Sequence, residues 1–225
     1  MNPAIGLAAV EARASASRGI SANAIYRMVE RALEETGASG GALLDVGCGA
    51  GNLWPVLERR FQSYVGVDAV RYAGFPANGE FVKANLDEPA PLPAGSARVT
   101  VAVETIEHLE NPRAFVRELV RLTEPGGWIV VTTPNQRSML SMMTLLVKGQ
   151  HGAFQSADYP AHITALLEID LERIATECGL GGIRFFHSQE GRVPFTGVHY
   201  PGWLSAMFPR AFSGNVAMVA RKPHA

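Results

Sequence analysis

The sequence predicts an α/β fold, with a parallel sheet covered by helices on both faces. Three observations carry that prediction. Short apolar runs bounded by Gly, Pro and Asp alternate with stretches whose apolar residues recur at helical spacing. Three glycines at alternate positions, Gly47, Gly49 and Gly51, directly follow the first apolar run. Apolar residues make up 47% of the 225-residue chain, which suits one α/β core with a small elaboration better than two full domains.

The elements follow in order. "SANAIYRMVERALEETG" places Ile25, Met28, Val29, Ala32 and Leu33 on one helical face, with Ser21 as cap and Gly37 as stop. "GALLDVG" reads as a buried strand, "NLWPVLERRF" as a helix and "SYVGVDAV" as a second strand. Residues 69 to 80 hold Gly74, Pro76 and Gly79, so a loop or single turn is expected there in place of a crossover helix. "EFVKANL" and "ARVTVAVET" are the third and fourth strands. "PRAFVRELVRLTEPGG" sets Phe115, Val116, Leu119 and Val120 at helical spacing before a Pro-Gly-Gly stop, and "WIVVTTPN" is the fifth strand. "SMLSMMTLLVKG" and "IDLERIATECGL" are helices, "GIRFFHSQ" is the sixth strand and "NVAMVARKP" the seventh.

Charge and cysteine content exclude several classes. The net charge is −1 with both signs scattered, so DNA is not an expected partner and RNA is a poor one. Cys48 and Cys178 show no metal-type or redox spacing and read as free thiols of a reducing cytoplasm. The N-terminal stretch is broken by Glu11 and lacks a basic leader, so a signal peptide is not expected. Met139 to Val147, the longest apolar run, is far short of the roughly 20 residues that span a bilayer. A cytoplasmic protein without a transmembrane segment is the expectation.

The glycine turn is the main functional signal. A dinucleotide fingerprint needs a third glycine at 52, which is Asn52, and no Gly-Lys-Ser/Thr follows for a phosphate loop. What stands is D-x-G-x-G-x-G, with Asp45 two residues ahead of Gly47. An acid there suits a cation better than a pyrophosphate. Asp68 closes the second strand 23 residues after Asp45, the distance at which an acid reaches ribose hydroxyls in this architecture. A bare tight turn with Asp68 as a helix cap is the plainer alternative.

"LLDVGCGAGNL", "YVGVDAV", "ANLDEPAPLPAGSARVTVAVETIEHLENP" and "LTEPGGWIVVTTPN" together resemble the successive motifs of class I S-adenosylmethionine-dependent methyltransferases, over about residues 41 to 135. The closest flavour is the ubiquinone-biosynthesis and glycan-associated O-methyltransferases. The resemblance implies a Rossmann-like sheet of seven strands with the last antiparallel. It implies a single methyltransferase domain over 1–225, with a helical segment at 1–40, a cofactor core at 41–135, and substrate-side helices and a terminal hairpin at 136–225. The implied cofactor is S-adenosyl-L-methionine, with S-adenosyl-L-homocysteine as product. Its methionine end would lie near Asp45, Gly47 and Gly49, and Gly51 would pack the turn on the following helix. Asp68 would hold the ribose, Asn85 and Leu86 would sit beside the adenine, and Glu104 would complete the cofactor wall.

Methyl transfer from a sulfonium releases a neutral thioether and needs no general acid. Positioning supplies roughly 7–11 kcal/mol, and a base for a hydroxyl acceptor adds on the order of 10²–10⁴-fold. "VETIEHLENP" offers Glu104, Glu107 and His108 at i, i+3 and i+4, on one face if a helical turn forms. His108 is the expected base, with Glu107 beside it. The same turn with His162 is similar to the metal-gripping pattern of small-RNA 2′-O-methyltransferases. Glu104, Glu107, His108 and His162 are therefore an alternative divalent-metal set, although no resident metal is the expectation. The acceptor is expected to be a small, apolar or sugar-bearing molecule methylated on oxygen. Tyr26, the Met-rich stretch after the fifth strand, and the aromatic stretch Val193 to Phe212 would serve it or touch a membrane surface. The alternatives are RNA 2′-O-methylation and a cofactor-binding subunit without chemistry of its own.

Overall fold

The computed structural model describes residues 19–224. Helix α1 (Asn23–Thr36) buries Ile25, Met28, Val29, Ala32 and Leu33, the face predicted from spacing, and ends on Gly37 at φ 69°. Its cap differs from expectation. Ala22 holds the cap position without a side-chain bond, and the Ser21 N–H donates instead to Tyr26 Oη at 3.0 Å.

Strands β1 (Ala42–Val46), β2 (Ser63–Asp68), β3 (Glu80–Lys83), β4 (Ala97–Ala102), β5 (Thr123–Pro134), β6 (Gly181–His187) and β7 (Asn215–Arg221) form one sheet in the order β3-β2-β1-β4-β5-β7-β6. The first five run parallel, and β7 pairs antiparallel with both β5 and β6. The predicted fold class and the terminal hairpin are both present. Apolar residues pack on both faces of the sheet, with α1 on one side and α3 (Pro112–Leu122) with α5 (Glu168–Glu177) on the other.

Three elements depart from the sequence reading. The helix expected over 52–61 shrinks to α2 (Trp54–Leu57), because the Arg60 carbonyl turns away to accept Gly40 N–H at 2.7 Å. Strand β3 stops at Lys83, since Asn85 Oδ1 accepts Asp87 N–H and starts a turn. Strand β5 begins at Thr123, five residues early. The Pro-Gly-Gly stop is drawn into the sheet edge, where Gly126 N–H donates to Lys222 and the Gly127 carbonyl accepts Lys222 N–H. The segment after Asp68 contains no helix, as its glycines and proline predicted. Helix α4 (Met139–Lys148) starts on a Ser138 side-chain cap. Two short helices inside the 190–213 strap, α6 (Gly202–Met207) and α7 (Pro209–Phe212), were not foreseen.

β1 and β4 are the adjacent strands whose connections leave in opposite directions. Such a switch point opens a crevice at the carboxyl ends of the strands.

Candidate active site

A cavity of about 530 Å³ occupies that crevice. Its floor is the glycine turn. Gly47 N–H and Cys48 N–H both donate to the Val67 carbonyl, at 2.7 and 3.2 Å, which binds the turn to the end of β2. Gly49 N–H donates to Asp68 Oδ2 at 2.9 Å, and Ala50 N–H donates to the Gly19 carbonyl at 2.9 Å. Gly49 has φ 50°, and a Cβ there would meet the Gly19 backbone, so glycine is needed on both counts. The Gly51 carbonyl accepts Trp54 N–H at the start of α2, at 3.1 Å, and a Cβ at Gly51 would meet Pro76 and Phe75 of the segment after β2.

Asp45 lies at the end of β1 and lines the cavity with 2% exposure. Its Oδ2 accepts the Tyr64 hydroxyl at 2.9 Å, and its Oδ1 is buried without a hydrogen-bond partner. Burial pushes its carboxyl up to about 7, the Tyr64 bond pulls it back, and the Asp68 charge adds to the rise. Asp68 also lines the cavity. Burial raises its carboxyl too, against the N–H groups of Gly49 and Val70 that favour its ionised form. Leu86 reaches the cavity, but Asn85 does not line it; its side chain is spent on Asp87 N–H and Glu88. Asp87 lines the cavity in its place, a residue the sequence reading passed over.

On the neighbouring strand, Glu104 follows β4 with φ 48°, a left-handed conformation unusual outside glycine. Its N–H and Oε1 both bond the Thr132 hydroxyl, at 2.9 and 2.8 Å, and its Oε2 accepts Asn215 Nδ2 at 2.6 Å. Those partners draw it out of the proposed metal set and anchor it to β5 and β7. Burial pushes its carboxyl up to about 7.

A 3₁₀ turn, Ile106–His108, then carries Glu107 and His108. Glu107 is fully buried, and neither of its carboxyl oxygens has a hydrogen-bond partner. Thr133 lies close enough to ease its charge, but the two form no well-aligned hydrogen bond. Burial and then the Glu104 charge hold the Glu107 carboxyl well above the usual range. The Glu107 carbonyl accepts Ile163 N–H and Thr164 N–H, both at 3.0 Å, so the 149–164 segment is laced over the turn.

His108 Nδ1 lies 2.8 Å from the Ala161 carbonyl and His162 Nδ1 lies 2.6 Å from the Ala153 carbonyl. A carbonyl can only accept, so each ring carries its proton on Nδ1 and its basic lone pair on Nε2. The two rings stand 4.8 Å apart, and one ligand atom from each of Glu107, His108 and His162 falls within 4.8 Å of the others. Thus three of the four alternative metal residues converge.

The sheet order, the glycine turn bonded to an acid on the next strand, and the switch-point cavity define a Rossmann-like nucleoside-binding domain. A methyltransferase-domain family model matches residues 18–183. The chain therefore belongs to the methyltransferase domain family, of the class I S-adenosylmethionine-dependent type. A ubiquinone biosynthesis O-methyltransferase from Albidiferax ferrireducens is 31% identical over 123 residues, covering 50% of this chain and 48% of that protein. One of the same name from Psychrobacter arcticus is 27% identical over 212 residues, covering 85% of this chain and 75% of that protein. In the first of these alignments the chain spans about half the length of its relative. Among solved structures, a methyltransferase from Archaeoglobus fulgidus superposes with TM-score 0.62 at 17% identity, covering 88% of this chain and 94% of that one. The [4+2]-cyclase SpnF superposes with TM-score 0.59 at 20% identity, covering 89% and 81%. That a cyclase shares the architecture shows how little the fold alone says about the reaction.

Among the described residues, no helix is long and apolar enough to cross a membrane.

Proposed function

We propose that the chain transfers a methyl group from S-adenosylmethionine to a hydroxyl oxygen of a small, uncharged, partly apolar acceptor. One observation carries this reading. The glycine turn with its two acids and the Glu107–His108 turn line a single cavity. Asp45 is suited to the cofactor's ammonium group, with Oδ1 still lacking a donor. Asp68 retains acceptor capacity for ribose hydroxyls beyond its two backbone bonds. Leu86 and Asp87 serve the adenine end. Reaction requires the acceptor oxygen to approach in line with the methyl group as its proton leaves. His108 is the base, because its Nδ1 is pinned to Ala161 and its lone pair rests on Nε2. Glu107 adjoins it as a buried acid facing the acceptor.

The acceptor's charge follows from the walls. Among the described residues lining the cavity there is no Lys or Arg, while Asp45, Asp68, Asp87, Glu104, Glu107 and Asp158 all reach it. Phosphate recognition needs cations, so RNA and other polyanions are poor acceptors. The test is turnover of radiolabelled cofactor with phenols and polyols. His108→Ala should lower kcat about 10²-fold or more with cofactor affinity unchanged. Undiminished kcat in that variant would rule His108 out as base.

A second reading is favoured by the orphaned Glu107 oxygens. With His108 and His162, both oriented through Nδ1 by backbone carbonyls, they form a donor set of the kind that holds a divalent ion. Such an ion would lower the pKa of a bound hydroxyl in place of a base. Metal analysis of the purified chain and turnover in a strong chelator separate the readings. Full activity after chelation eliminates the metal.

A further inference from the structure

The stretch after β5 reaches the cavity, but not through the methionines of α4. Its far end does so: residues 157–162 line the cavity without a break. Among the described residues, none of 193–212 reaches it. The acceptor's surroundings are therefore set by a short segment laid over the Glu107–His108 turn.

That segment is held at several points. Gln155 N–H donates to Asp158 Oδ2 at 2.8 Å, and His162 N–H donates to the Asp158 carbonyl at 3.0 Å. The Ala161 carbonyl accepts His108 Nδ1–H at 2.8 Å. The rings of Phe154, His162 and His108 follow one another at 5.4 and 4.8 Å, which packs the segment on the reactive turn. Tyr159 stands between two of these anchors, Asp158 and Ala161, and its side chain joins none of them. It is 72% exposed, and among the described residues its ring and hydroxyl have no partner.

An exposed aromatic residue is unremarked on most surfaces, but this one belongs to the wall of the cavity. Among the described residues, two large hydrophobic side chains are both well exposed and cavity-lining, Ile20 and Tyr159. Their backbones tie them to different parts of the site. Ile20 follows Gly19, whose carbonyl accepts Ala50 N–H of the glycine turn. Tyr159 precedes Ala161 by two residues, and Ala161 pins the His108 ring. Ile20 thus goes with the cofactor's turn, and Tyr159 with the histidine that faces the acceptor oxygen. A ring displayed on pinned backbone at a cavity mouth loses its contact with water only when a ligand covers it, and covering it favours binding. Ligand sites combine such apolar and aromatic surface with a few polar groups that fix orientation.

We propose that Tyr159 is a specificity-determining residue whose ring receives the apolar part of the acceptor where that part emerges from the cavity. The acceptor's orientation, with its hydroxyl at His108, rests on the proposed methyl transfer; binding measured without transfer separates the two. Phenols bearing a para-methyl, ethyl, propyl or butyl group are titrated calorimetrically into the chain saturated with S-adenosylhomocysteine. Affinity should rise roughly two-fold or more with each added methylene. Tyr159→Ser should flatten that rise and bind the butyl compound about ten-fold more weakly, and Tyr159→Phe should restore it, because the ring makes the contact. In turnover the Tyr159→Ser loss should fall on KM and not on kcat, whereas a loosened segment would also release His108 and lower kcat. A rise with chain length that survives in Tyr159→Ser overturns the assignment, and so does absence of binding by every phenol of the series to the wild-type chain. A fall in kcat as large as the rise in KM overturns it as well. Binding that depends on Tyr159, with no label transferred from the cofactor to any of these phenols, would count against the methyl-transfer reading and leave the role of the ring in place.

Discussion

Cofactor affinity should fall steeply on acidification between pH 8 and pH 6, and Asp45 should be the cause. In the free protein its carboxyl is pushed up to about 7, with burial the main contribution. The cofactor's ammonium group can pair only with the ionised form. The sign follows directly: below the free-state pKa the proton must first be expelled, so binding weakens as pH drops. If the bound complex keeps Asp45 ionised throughout, the penalty factor is 1 + 10^(pKa − pH). That factor is about 1.1 at pH 8, about 2 at pH 7 and about 11 at pH 6, a loss of roughly 1.4 kcal/mol over the range. Calorimetric titration with S-adenosylhomocysteine at the three pH values measures it. Repeating the pH 7 titration in buffers of different ionisation enthalpy counts the protons released, about half per site. Asp45→Asn is isosteric, can still accept the Tyr64 hydroxyl, and should bind more weakly with a flat pH dependence. Glu104, also pushed up to about 7, is the competing titrant on the cavity wall, and the variant removes only the Asp45 contribution. An affinity constant from pH 8 to 6, or a slope that survives in Asp45→Asn, would refute the assignment.

Gly49→Ala should cripple cofactor binding, because φ 50° and the Gly19 backbone both oppose a Cβ and no rotamer relieves either. The left-handed strain alone is about 1–2 kcal/mol, so a fall in melting temperature with loss of S-adenosylhomocysteine binding is expected. Asp68→Ala should weaken binding by roughly 1–3 kcal/mol and also leave Gly49 N–H without its acceptor, whereas Asp68→Asn should lose less; calorimetry on the pair separates ribose contact from turn support.

What the sequence disclosed depends on the range of the interaction involved. β1, the glycine turn and β2 are local, and Asp45, Gly47, Gly49 and Asp68 all line one cavity. The terminal hairpin came from family resemblance, since the antiparallel pairing of β7 with β5 leaves no mark on either strand. Where expectation and structure differ, a competing hydrogen-bond partner, near or far, decided the outcome. Asn85 was expected at the adenine, but a local bond from Asp87 N–H two residues on folds its side chain into a turn. Glu104 lines the cavity but stands outside the cluster of Glu107, His108 and His162; Thr132 and Asn215, 28 and 111 residues away, hold its carboxyl, and no local pattern announces them. Pro76, which a Cβ at Gly51 would meet, is brought there by the helix-free segment after β2, a contact no local pattern announces.

The distribution of carboxyl groups in the cavity becomes intelligible once the direction of charge flow is considered. The donor enters with a positive sulfur and leaves as a neutral thioether. A fixed anion beside that sulfur would bind the substrate better than the transition state and slow the step. Anions at the ends of the cofactor carry no such cost, because the ammonium group and ribose hydroxyls do not change during transfer. Asp45 in β1 and Asp68 at the end of β2 both line the cavity and, under the proposed function, serve those ends. Burial pushes Glu104 up to about 7, as it does Asp45, while Thr132 and Asn215 tie its oxygens. Glu107, with no donor at all, is held well above the usual range. Glu107 can therefore shape and hydrogen-bond an uncharged acceptor while remaining largely neutral. If a divalent ion occupies Glu107, His108 and His162 instead, its positive charge offsets the ionised carboxylate and the same rule is met. The replacement that separates these cases is Glu107→Gln. It keeps the shape and neutrality and should retain much of the activity if Glu107 serves as a neutral acid. It should lose both metal and turnover if Glu107 is a ligand.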